Sequence, residues 1–215
     1  MLHTRKSLSL YNENGILLFT ILSLCLPVFL QAQPRQEDLT GSYYLTGVME
    51  TASGIRLNKN GTFDFFYSYG ALDRFGSGTW EQKGNNSIVL NSRPYPGSDF
   101  KLITSSKSNS SIATIRLDEK NTSLLKYTYC IVKENGFVRQ YSFNEKGIIT
   151  FPAQPIDTLF LIFEFCPEKI SSFPIINHTM NNFTFQSEPW LLEVFFRDFT
   201  LLRTSDGLEG GHPLL

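Results

Sequence analysis

Short runs of aromatic and β-branched residues, each cut off by a turn dipeptide, set the tightest limit on what this chain can become. Phe63, Phe65, Tyr67 and Tyr69 recur at every second position, with Thr62, Asp64 and Ser68 mostly between them. A period of two puts the rings on one face of a strand. Asn60-Gly61, Asn135-Gly136, Lys146-Gly147 and Asp206-Gly207 each separate two apolar stretches. Asn-Gly and Asp-Gly reach the positive φ angles that tight hairpins require. No segment after the N-terminal region carries a helical stripe. The expected fold class is all-β, and the 19 Phe and 9 Tyr supply strand-forming bulk.

The N-terminus has a different grammar. Arg5 and Lys6 precede the apolar run Ile16–Leu30, and Ala32 stands just before the polar stretch QPRQEDLT. Positive start, apolar middle and small residue at the cut form a signal-peptide layout over residues 1–32. The run falls short of the ~20 apolar residues that a membrane-spanning helix needs. The expectation is an exported protein, periplasmic, cell-surface or secreted, with no stable membrane span after cleavage. Cys25 follows the bulky Leu24, where a lipidated cysteine follows a small residue, so it reads as part of the signal core.

Charge and cysteine usage narrow the function classes. With 19 Lys and Arg against 20 Asp and Glu, the formal net charge is −1, which suggests neither nucleic acid nor an anionic surface as partner. Cys130 and Cys166 remain after processing, and an oxidising compartment permits a disulfide between them. Two buried free thiols are the alternative. His178 and His212 stand alone, with no Cys, Asp or Glu at ligand spacing, so no metal and no cofactor is expected.

Residues 38–92 read as a meander of about five strands. Its pieces GSYYL, IRLNKNGTFDFF and GTWEQKGNNSIVLNS resemble the strands of small lipocalin-like barrels. That resemblance implies an antiparallel meander or barrel and a ligand cavity at its mouth. Five strands are too few to close an eight-stranded barrel unaided. Residues 93–111 read as a linker around a short strand at Phe100–Thr104. Residues 112–170 hold IATIRLD, LKYTYCIVKE, GFVRQYSFN, GIITFP and DTLFLIFEF. Their order resembles small prealbumin-like sandwiches of the carboxypeptidase-regulatory type, which implies a packing or spacing module without chemistry of its own. Residues 180–215 are expected to return as strands and complete the first sheet.

The most distinctive stretch runs from Tyr67 to Trp80, with Gly70, Gly76 and Gly78 and the charged pair Asp73-Arg74 inside it. One reading makes it a loop at a barrel mouth, with Tyr67, Tyr69 and Trp80 as walls and Arg74 as a hook for an anion. The other makes it a tight turn, with Asp73 accepting from local backbone N–H groups and Arg74 solvated. Glu50, Asp64, Glu81, Glu164, Glu188 and Glu193 lie in or beside strands, and a hydrolase would need two of them to converge in one cleft. No nucleophile elbow or phosphate loop is present. The expected function is non-catalytic: binding of a small apolar or aromatic ligand, or of a cell-envelope component. A structural or protein-interaction module is the alternative.

Overall fold

The computed structural model describes residues 38–214, so the expected signal segment lies outside the described residues. Five strands follow one another from the start: β1 (Gly41–Tyr44), β2 (Thr51–Leu57), β3 (Thr62–Tyr69), β4 (Leu72–Lys83) and β5 (Ser87–Asn91). Each pairs antiparallel with the next. The sheet is then extended by β14 (Phe199–Arg203) and β15 (Leu208–Glu209), giving seven strands in the order β1-β2-β3-β4-β5-β14-β15. It curls until its two ends meet. His212, just beyond β15, places Nε2 3.0 Å from Ser53 Oγ on β2. The result is a nearly closed, barrel-like antiparallel sheet.

Alternation decides what fills it. Phe63, Phe65 and Tyr67 point inward and are buried, while Asp64 and Phe66 face solvent. Phe196 plugs the interior, with its ring edge-on to Phe63 at 5.1 Å and to Phe65 at 5.2 Å between centroids. The inward aromatic face is therefore core, and the fourth ring of the expected row, Tyr69, is 52% exposed at the hairpin tip.

All strands between β5 and β14 belong to two other sheets. One has the order β10-β7-β13-β6, from β10 (Ile148–Pro152), β7 (Ile112–Leu117), β13 (Asn182–Ser187) and β6 (Phe100–Ser106). The other has the order β12-β11-β8-β9, from β12 (Ser171–Pro174), β11 (Thr158–Phe163), β8 (Thr128–Glu134) and β9 (Phe137–Ser142). Both feed one apolar core that includes Phe100, Ile115, Val132, Leu161 and Phe185.

Three details differ from the reading of the sequence. The short strand expected within 93–111 is present as β6, but it is a full partner of β13 in the sandwich and not part of a linker. Of the returning strands, β14 and β15 join the first sheet, but β13 lies between β6 and β7, parallel to β7. A single helical turn, α1 (Thr122–Lys126), stands at the start of the expected strand LKYTYCIVKE. The Asn121 side chain accepts from Ser123 N and Leu124 N and so starts this turn.

Candidate functional site

The alternation of β4 turns Arg74 inward and Asp73 and Phe75 outward. Arg74 stands directly opposite Tyr67 of β3 in the ladder. Its guanidinium is thus carried below the sheet surface, where its side chain is only 3% exposed. Glu168 meets it there from the turn after β11, with Oε1 2.6 Å from Nη2. The Arg74 Nε is buried and has no hydrogen-bond partner.

These two side chains form the floor of a cleft of about 320 Å³. Its walls are Tyr67 and Leu72 from the β3–β4 hairpin, Phe165 and Pro167 from the turn, and Pro213 and Leu214 from the segment after β15. The volume is at the lower end of the ~300–1,000 Å³ typical of small-molecule sites. A groove at the seam between β2 and the segment after β15 holds only about 110 Å³, while hollows of about 660 Å³ beside α1 and about 400 Å³ on β1–β3 are larger than the cleft but hold no buried charged side chain.

Behind the cleft lies a buried polar junction. Two passages connect the curled sheet with the sandwich, residues 92–99 and 188–198, and they run side by side. Ser92 N donates to Phe196 O at 2.9 Å, and Trp190 Nε1 donates to Ser98 O at 2.9 Å. Gly76 permits the second passage to approach β4, because a Cβ there would lie 2.7 Å from Val194 O. Lys169 fastens the passage. Its Nζ donates to the carbonyls of Leu191 (2.7 Å), Glu193 (3.2 Å) and Trp190 (3.3 Å), and Asp99 Oδ2 lies 3.0 Å away.

Burial raises the Asp99 carboxyl above its ordinary range, against the pull of Lys169 and Tyr95. The Tyr95 phenol is likewise raised, first by burial and then by Asp99. Arg93 bonds Glu193 at 2.6 Å and stacks over Trp190 and Phe195.

The structure unites two of the five residues singled out in the sequence, Tyr67 and Arg74, and separates the other three. Tyr67–Trp80 is a hairpin, not a loop, and it turns at Gly70-Ala71. Asp73 is exposed on the outer face. Trp80 packs into the sheet's own core near the far end of β4, with Nε1 donating to Asn58 O at 3.0 Å. Tyr69 points to solvent. Arg74 is buried, not solvated as the tight-turn reading required. Glu168, Phe165 and Leu214 escaped the sequence reading, because nothing local distinguishes a charged or apolar residue that acts across a distance of many strands.

Cys130 and Cys166 are both free and buried, so no disulfide joins them. Cys130 stands opposite Leu161 in the ladder, whereas Cys166 lies past the end of β11 and donates to Leu191 O at 3.4 Å. Burial pushes their thiols up to about 12 and about 11, which disfavours the nucleophilic thiolate of both at neutral pH. Of the six strand carboxylates, only Glu193 is buried, and Arg93 neutralises it. Among the described residues no group of three or more His, Cys, Asp or Glu is arranged to hold a metal ion, and no helix is long and apolar enough to cross a membrane. No family model, no curated protein and no solved structure matches this chain.

Proposed function

We propose that this is an exported, non-catalytic binding protein that takes a small apolar or aromatic ligand in the cleft beside the β3–β4 hairpin. One observation supports the reading above others: a cleft with apolar side chains in its walls beside a buried guanidinium. Apolar walls with few convergent polar groups are what small-molecule sites are made of. Export rests on the layout of residues 1–32.

Native mass spectrometry of residues 33–215 tests the reading. The expected result is a co-purifying small molecule that is lost in Leu72→Trp, whose indole would fill the cleft. A bound molecule that survives this substitution would place the site elsewhere.

A second reading, a protein-interaction module, is favoured by the outside of the same sheet. Tyr44, Gly54, Phe66 and Phe75 stand in register across four strands. The three rings are 67%, 42% and 50% exposed. Gly54 allows Tyr44 and Phe66 to close over it, since a Cβ would sit 2.7 Å from Phe66 and 3.1 Å from Tyr44. Exposed aromatic rows of this kind mark contact surfaces more often than solvated ones. Phe66→Ser combined with Phe75→Ser would abolish partner binding without loss of stability if this face is the functional one.

A further inference from the structure

We propose that the cleft binds the carboxylate group of a small, mainly apolar acid, and that this carboxylate replaces Glu168 on Arg74. The inference rests on the ligand-binding reading and adds the charge class of the ligand.

The Arg74 guanidinium is a buried cation and requires an anion beside it. Its present partner serves it incompletely. Glu168 makes one bond, to Nη2, while Nε has none. Nε and Nη2 share one edge of the planar group, and a carboxylate arriving along that edge takes both in parallel. An acid entering the cleft would therefore give Arg74 two hydrogen bonds in place of one, while Glu168 carries its own charge out into solvent.

The turn that carries Glu168 is anchored on both sides, and from it the carboxylate reaches Nη2 alone. Cys166 Sγ is held at Leu191 O, and Lys169 is held by three carbonyls. It can leave easily. Its side chain is 47% exposed and can swing into water, where its charge is solvated. An anchored backbone with a half-exposed side chain makes Glu168 a replaceable counter-ion.

The surroundings specify the rest of the ligand. Tyr67, Leu72, Phe165, Pro167 and Leu214 bring apolar side chains and no second cation to a lining that is otherwise polar. Lys169, the nearest other cation of the junction, is buried and spends its hydrogens on backbone carbonyls. One guanidinium suits one carboxylate, and about 320 Å³ suits a single-ring or short-chain body.

The test uses residues 33–215 and two probes of one shape, benzoate and benzyl alcohol, with binding followed by calorimetry and by amide resonances of the β3–β4 hairpin. Benzoate is expected to bind more tightly than benzyl alcohol. Glu168→Gln is expected to tighten benzoate about tenfold by removing the competing carboxylate, in line with the strength of charge-assisted hydrogen bonds. Arg74→Met, checked for folding by near-UV circular dichroism, is expected to abolish the preference for benzoate over benzyl alcohol.

If benzyl alcohol binds as tightly as benzoate, or Glu168→Gln leaves benzoate unchanged, the carboxylate proposal falls and the apolar-ligand reading stands. If neither probe moves the hairpin resonances at millimolar concentration, both fall, and Arg74–Glu168 is a structural clamp.

Discussion

Lys169 ties together the two passages between the curled sheet and the sandwich. Its ammonium satisfies three carbonyls of one passage and faces a carboxylate on the other. Removal of one member of a buried ion pair leaves an uncompensated charge, at about 3–5 kcal/mol. Lys169→Met is therefore expected to lower the urea-unfolding free energy by about that amount. Asp99→Asn should cost less, about 1–3 kcal/mol, because the ammonium retains its three carbonyl acceptors. Equal losses in the two variants would mean that the Asp99–Lys169 attraction, not the carbonyl cage, holds the passage. Neither residue stood out in the sequence. Asp99 follows a Pro/Gly-rich stretch, and Lys169 is one of a charged pair after a strand, which ordinarily describes two solvated side chains.

At the scale of elements, the segment after β15 is a strap across the seam of the curled sheet, and one histidine fastens it. His212 Nε2 lies 3.0 Å from Ser53 Oγ, and Nδ1 accepts from Leu214 N at 3.1 Å. The Ser53 hydroxyl is committed to Phe66 O at 2.9 Å, so Nε2 carries the proton and donates. The ring packs on Phe65 and Tyr67. Both nitrogens are thus assigned to the neutral form, and burial lowers the His212 pKa from its ordinary value. A histidine with a lowered folded pKa contributes its full stabilisation above ~6.5 and loses it as pH falls from there through the folded pKa. The Leu214 amide should accordingly exchange faster as pH drops below ~6.5, after correction for intrinsic exchange. His212→Phe, which retains the ring packing, should remove this dependence. A pH-independent Leu214 protection factor in the wild type would show that the strap does not depend on His212. Strands were legible in the sequence because period-two alternation and turn dipeptides act within a few residues of each other. The Asn135-Gly136 turn between β8 and β9 is one such case. The strap, β13's place between β6 and β7, and the Arg74–Glu168 pair were not legible. They depend on partners 159, 68 to 87 and 94 positions apart in the chain.

For the whole molecule, the two apolar cores draw on separate parts of the sequence. Every residue of the sandwich core lies between Phe100 and Leu191. The curled sheet's core uses residues from Leu39 to Leu90 and from Val194 onward. The sandwich's entry and exit are already tied together, since Glu188 N donates to Asp99 O at 2.8 Å and Trp190 Nε1 reaches Ser98 O. A fragment of residues 98–193 retains this closure, the Asp99–Lys169 pair and all three carbonyls that Lys169 binds. It loses the Arg74–Glu168 and Arg93–Glu193 pairs, each of which leaves a glutamate free to turn towards water. Domains of roughly this length fold alone when their core is intact. The fragment is expected to give a dispersed amide spectrum and a single cooperative urea transition. The complementary piece, residues 39–92 joined to 194–214, should fare worse, because the Arg74 guanidinium would remain inside it without its carboxylate. A collapsed spectrum from the 98–193 fragment would overturn this division and make the junction a part of one indivisible core.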